Sequence, residues 1–155
     1  MEPVPDRLVA PDRLVTKASW LISQSAVHVR RLVSDAFAAA GARGYYYRVL
    51  ATLDQFGPSS QAELGRRCRM DRSDVVAAVT GLLAEGFVER QADSADRRRN
   101  TVTITGAGTL RLGRLDDALD AVQDELLAPL SPGERRTLVA LLGRLVEHHG
   151  APPAP

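Results

Sequence analysis

A single cysteine, Cys68, stands in this chain of 155 residues. No intramolecular disulfide can form, and so thiol-poor a sequence fits a reducing compartment. Long apolar runs are missing too: nothing approaches the ~18–20 residues that a transmembrane helix needs. The opening MEPVPDRLVAPDRLV is broken by Pro and Asp and holds no apolar centre, which argues against a signal peptide. Together these features predict a soluble, cytoplasmic protein. Excess charge is also absent, since 20 basic residues face 19 acidic ones for a net of +1. Any affinity for a polyanion must therefore come from a local patch. What remains is ordinary for a globular chain, 45% hydrophobic and 25% charged, with a length that suits one domain or two small lobes sharing a core.

Catalytic signatures are wanting as well. The sequence has no G-x-S-x-G elbow, no G-x-x-x-x-G-K-[ST] loop and no H-E-x-x-H, and Cys68 has no evident histidine partner. The stretch GAGTLRLG at 106–113 opens a leucine-rich pattern and fits a hinge better than a phosphate loop. His148 and His149 close a helical segment, where the helix dipole favours histidine, and no Cys/His/Asp spacing makes a closed zinc site. The expectation is a protein that is not an enzyme, with no metal and no cofactor.

What is present is mostly helical period. PDRLV occurs at 5–9 and again at 11–15, too little for a repeat architecture, and residues 1–10 read as a flexible arm. From Asp12, residues Leu14, Trp20, Leu21, Val29, Leu32, Val33 and Phe37 keep a period near 3.6 until Gly41 and Gly44, predicting one long helix. A second starts near Tyr45 and ends at Gly57-Pro58. Ser60 and Glu63 form an S-x-x-E capping box for a short helix to about Arg67. After the turn at 68–70, Asp71 is expected to cap a helix carrying Val75, Val79 and Leu82 on one face. Beyond Gly86 the period drops to two, FVERQAD and then TVTIT around DSADRRRN, which reads as an antiparallel hairpin. Such a pair needs the helices for support. Leu112, Leu115, Leu119, Val122 and Leu126 mark a further helix, and Ser131-Pro-Gly-Glu134 caps the last. Residues 149–155 read as a disordered tail.

Two helices joined by a tight turn and followed by a hairpin make a winged helix-turn-helix, a mainly α fold with a small β-hairpin wing. A helix fits the major groove of B-DNA, with its N-terminal residues near base edges and phosphates. Opposite the core face of the second helix lie Ser73, Val76, Ala77 and Thr80, all small enough for close approach, with Arg72 beside them. Arg97, Arg98 and Arg99 repel one another at the hairpin tip and gain nothing within the chain, but a narrow minor groove attracts such guanidinium groups. A solvated tip is the plain alternative for the arginine run. Arg66 and Arg67 fit phosphate contacts or a solvent-facing helix end equally well.

The stretch ELGRRCRMDRSDVVAAVTGLLAEGFVERQADSADRRRNTVTITGAG resembles the MarR family of bacterial transcriptional regulators. Its most specific part is the wing, Asp93, Asp96, Arg97 and Arg98 followed by Thr105 and Gly108, supported by Leu82, Gly86, Phe87 and Val88. The likeness spans roughly residues 14–148. It implies one domain over 11–148, with a dimerisation lobe from helices at about 12–40 and 108–148 and a DNA-binding lobe at about 45–106. It further implies a homodimer on a pseudo-palindromic operator, acting as a repressor that a small aromatic or phenolic effector releases. By position, Arg72, Ser73, Asp74, Val76 and Ala77 would meet DNA, as would Arg97 and Arg98 with Arg99 next to them, while Asp96 would hold a wing arginine in pose. An effector cleft would take in Trp20, His28, Tyr46 and Tyr47, although aromatics there also suit plain packing. The family's usual turn glycine is Arg69 here. Two rivals stand beside this reading: a winged-helix module for protein contacts, and an oxidant sensor through Cys68, flanked by Arg67 and Arg69, against which a buried packing thiol is the simpler account.

Overall fold

The computed structural model describes residues 10–92 and 100–150, and its elements run in the order helix, helix, helix, helix, helix, strand, strand, helix, helix. The first segment is not one helix. A short α1 (Asp12–Val15) stops before α2 (Ala18–Ala39). The Thr16 hydroxyl donates back to the Asp12 carbonyl at 3.3 Å, and Lys17 is extended; such local bonding by threonine competes with helix continuation.

Helix α3 (Gly44–Phe56) is the centre of the core. Val49, Leu50 and Leu53 have essentially no exposed surface, and they pack with Leu64 of α4 (Gln61–Cys68), Val75, Val79 and Leu82 of α5 (Arg72–Ala84), and Leu115 of α6 (Gly106–Leu126). Burying each such side chain contributes roughly 1.5–3 kcal/mol. Two close approaches hold this cluster. A Cβ on Gly81 would overlap the Tyr46 hydroxyl, so the α3 tyrosine lies against the bare backbone of α5. A Cβ on Gly108 would overlap the Phe87 carbonyl oxygen, so the first turn of α6 sits tightly against the residue that leads into β1.

Strands β1 (Val88–Ala92) and β2 (Asn100–Ile104) pair antiparallel, with Val88 opposite Ile104 and Arg90 opposite Val102. They do not stand alone. Ser59, just before α4, exchanges backbone hydrogen bonds with Val102 and adds a one-residue third rung. Gly86 enters the hairpin with φ +74, a left-handed turn that glycine adopts freely.

The last helix, α7 (Pro132–Gly150), runs two residues past the boundary expected at 148. Its capping box is formed: Ser131 donates to Glu134 at 2.7 Å through its hydroxyl and at 2.8 Å through its amide, which holds the Glu134 carboxyl below its ordinary range. No residue of α7 is buried. Among the described residues, no helix is long and apolar enough to cross a membrane.

Candidate nucleic-acid interface

The helix-turn-helix begins with a locally determined start. Ser60 donates to the Glu63 carboxylate through both its backbone amide and its hydroxyl, each at 2.8 Å, and its hydroxyl accepts the Glu63 amide at 3.3 Å. Those bonds hold the Glu63 carboxyl below its ordinary value, and the nearby Arg67 and Arg66 act in the same direction. Helix α4 ends at Arg69, whose φ of 50° and ψ of 54° are left-handed. The Met70 amide then returns to the Gly65 carbonyl at 3.0 Å and closes the turn. Asp71 occupies the cap position of α5 in extended conformation, but its side chain makes no capping bond, contrary to expectation.

Helix α5 shows the two faces read from its sequence. Val75, Ala78, Val79 and Leu82 are buried, whereas Arg72, Ser73, Val76, Ala77 and Thr80 are exposed and Asp74 is half-buried. Val76 is 41% exposed, a large apolar side chain left open beside alanine, serine and threonine. Between α4 and α5 runs a groove of about 540 Å³ lined by Gln61, Arg66, Met70 and Arg72, with Gly65 and Val75 at its floor. It brings two guanidinium groups from different helices to one surface. Arg67 is turned elsewhere: it lies 4.5 Å over the Phe56 ring and donates to the Ser59 hydroxyl at 3.3 Å. Composition gave no hint of that stack.

Thr105 joins the wing to the rest. Its hydroxyl donates to the Gly86 carbonyl at 2.8 Å and accepts the Gly108 amide at 3.1 Å, while its own amide bonds Phe87 at 3.0 Å. The end of α5, the foot of the hairpin and the start of α6 thus meet at one residue. Asp96, Arg97, Arg98 and Arg99 lie outside the described residues.

The expected effector residues are only partly gathered. Tyr46 is 5% exposed and belongs to the core, and burial followed by the negative charge of Glu85 raises its pKa. Tyr47 is half-buried on the next face of α3 and donates to Asp116 of α6 at 2.8 Å; burial and that bond raise its pKa. Trp20 is half-buried and His28 exposed, two turns apart on α2. Cys68 is buried, 3.2 Å from the Thr52 hydroxyl and 3.4 Å from the Arg48 carbonyl, enclosed rather than presented. Among the described residues no group of three or more His, Cys, Asp or Glu is placed to hold a metal.

The family model for the MarR family matches residues 43–99, which hold α3, the helix-turn-helix and β1. The crystal structure of a probable transcriptional regulator from Pseudomonas aeruginosa is 31% identical, with a TM-score of 0.75 over 86% of this chain and 99% of that one. The chain belongs to the MarR family. Its fold is the MarR-like one, helical with a two-stranded wing. The HTH-type transcriptional repressor NicR of Pseudomonas putida is 30% identical over 98 residues, 63% of this chain and 62% of NicR. The chain's matches span about 57% to 62% of the length of the first curated relatives. BpsR of Bordetella bronchiseptica, whose DNA binding is regulated by 6-hydroxynicotinic acid, shares the fold at 20% identity, with a TM-score of 0.76 over 88% of this chain and 97% of that one. Within this MarR-family chain, α1, α2, β2, α6 and α7 lie outside the matched residues.

Proposed function

We propose that this MarR-family chain is a sequence-specific, DNA-binding transcriptional regulator that works as a homodimeric repressor in the cytoplasm. The observation that carries the reading is the exposed face of α5, where Ser73, Val76 and Ala77 stand clear beside Arg72. A face this small lets a helix enter the major groove, and Val76 and Ala77 suit thymine methyl groups. Arg72 and Arg66 would take phosphates on either side, fixing register without reading sequence. The wing arginines Arg97, Arg98 and Arg99 would lie along the flanking minor groove, with Asp96 holding one of them.

A second copy is supported by what α2 and α7 leave bare. Leu21 and Ile22 on one, and Leu141, Leu142, Leu145 and Val146 on the other, are exposed together. Soluble monomers rarely leave contiguous apolar patches of that kind open. A two-fold partner laid on those helices would space the paired α5 helices about one turn of DNA apart, ~10 bp between half-site centres. NicR is a repressor and the DNA binding of BpsR responds to 6-hydroxynicotinic acid. By analogy, a small aromatic or phenolic effector would enter between the lobes near Trp20, His28 and Tyr47, with Tyr46 behind them in the core. It would act by favouring a lobe spacing that misses the operator register.

Selection from a random duplex pool tests the reading. The expected survivors carry an inverted repeat with ~10 bp between half-site centres. If no motif emerges at ~100 mM salt, where non-specific affinity is already weak, the operator-binding reading falls and a protein-contact module takes its place.

A further inference from the structure

The left-handed turn of the helix-turn-helix is held by an arginine rather than a glycine. Arg69 is the one non-glycine residue with positive φ among the described residues. An L side chain there crowds the following carbonyl, a cost that glycine would not incur. The side chain, however, does not hang free. It reaches the end of α7: a Cβ built on Gly150 would stand 2.6 Å from Nη2 of Arg69 and 2.9 Å from Nη1. The guanidinium therefore lies close beside the last residue of that helix, and a side chain at residue 150 would have to push it aside. A helix C-terminus holds unpaired carbonyls and partial negative charge, and a guanidinium brings five donors to it. Arg69, itself exposed, lines an open groove of about 350 Å³ together with Ile22 of α2 and Leu142, Leu145, Val146 and His149 of α7. Three parts of the molecule meet there, and α5 begins three residues further on.

We propose that Arg69 is a positioning residue that ties the helix-turn-helix to the C-terminal helix α7, so that the placement of α7 fixes where the N-terminal end of α5 stands. The consequence for operator reading rests on the DNA-binding function proposed above. A shift at Gly150 displaces the guanidinium, the guanidinium carries the left-handed turn, and the turn carries Arg72 and Ser73. Left-handed geometry serves this purpose because it aims the residue-69 side chain out of the helix-turn-helix and toward α7.

Arg69→Gly and Gly150→Ala separate this from the alternatives, compared as full-length protein. In amide hydrogen exchange without DNA, the Met70 amide, which closes the turn onto Gly65, is the reporter. Arg69→Gly removes the backbone strain, so a purely local role predicts slower exchange; the tie predicts exchange at least ~3-fold faster. Gly150→Ala leaves the turn chemically intact but pushes the guanidinium aside, and is expected to speed the same amide by a smaller factor. On selected operator DNA, a one-base-pair insertion between half-sites that weakens wild-type binding ~10-fold should weaken both variants less than ~3-fold. Slower exchange in Arg69→Gly with no change in Gly150→Ala overturns the proposal. So does an affinity loss in Arg69→Gly alone that is equal at every spacing and lowers the salt slope by about one phosphate, since that marks a direct DNA contact. If the wild type selects no duplex, the DNA-binding reading fails, and the exchange comparison still decides whether the tie exists.

Discussion

Ser59 and Val102 exchange both backbone hydrogen bonds, at 3.0 and 2.9 Å, and so pin the wing to the residue that precedes the α4 cap. Ser59 is buried, its hydroxyl donates to the Gly57 carbonyl at 3.0 Å, and it accepts from Arg67. The start of the helix-turn-helix and the middle of β2 are therefore one structure. Loss of order in α4 should spread to the hairpin.

That coupling makes the adjoining cap informative. Ser60→Ala removes the hydroxyl that serves Glu63 and is expected to cost about 1 kcal/mol, read as a lowered denaturation midpoint at unchanged slope. The Glu63 carboxyl is held below its ordinary 4.5. Its contribution is complete above that value and is lost as pH falls through the depressed folded pKa. Wild-type stability should thus decline more steeply below about pH 4.5 than that of Glu63→Gln.

Gly81 offers a test with an unusual sign. In an exposed helix interior, glycine to alanine gains roughly 1 kcal/mol. Here the added Cβ meets the Tyr46 hydroxyl and ring, so Gly81→Ala should instead destabilise by about 1–3 kcal/mol in chemical denaturation. Tyr46→Phe in the same chain should restore part of the loss, because the hydroxyl is the nearest obstruction and the ring carbon behind it remains, at 2.8 Å from the added atom.

The two neighbouring tyrosines predict alkaline behaviour. Burial raises both pKa values above 10.0, with Glu85 adding for Tyr46 and the Asp116 bond adding for Tyr47. The folded state then keeps protons that the unfolded chain releases. Stability is complete below about pH 10 and falls as pH rises through the folded pKa values. Tyr47→Phe should flatten that decline, measured by denaturation from pH 9 to pH 11, while costing no more than about 1 kcal/mol at neutral pH.

The bare stripe of α7 predicts the assembly. Leu142→Glu with Leu145→Glu places two charges in the proposed two-fold interface, and analytical ultracentrifugation should report monomer where the wild type is dimer. Because neither leucine is buried within the described chain, the helical circular dichroism of the variant should stay close to that of the wild type.

The helix-turn-helix and the hairpin were legible because their residues carry local rules. Ser60 and Glu63 are a capping box by spacing alone, the two faces of α5 follow from period, and the change from 3.6 to 2 after Gly86 marks the wing. The break at Thr16 was not legible, since it depends on one hydroxyl turning back on the helix while the apolar period continues through it. Asp71 has the right identity for a cap and makes no cap bond, which residue type cannot reveal. The contacts of Ser59, Arg67 and Tyr47 were invisible for a common reason: each is made with a partner distant in sequence, Val102, Phe56 and Asp116 in turn. Arg69 was noticed as a departure from glycine, but its neighbour at Gly150 is a matter of tertiary placement.

Thr105 gives α6 a mechanical character. The helix has 21 residues, about 31 Å of rigid length, and its first turn is welded through Thr105 to the foot of the wing. A tilt of only ~5° about that foot moves the far end by roughly 3 Å over such a length. Any such tilt must also move Leu112 and Leu115, which are buried in the core, so α6 couples the wing to the core.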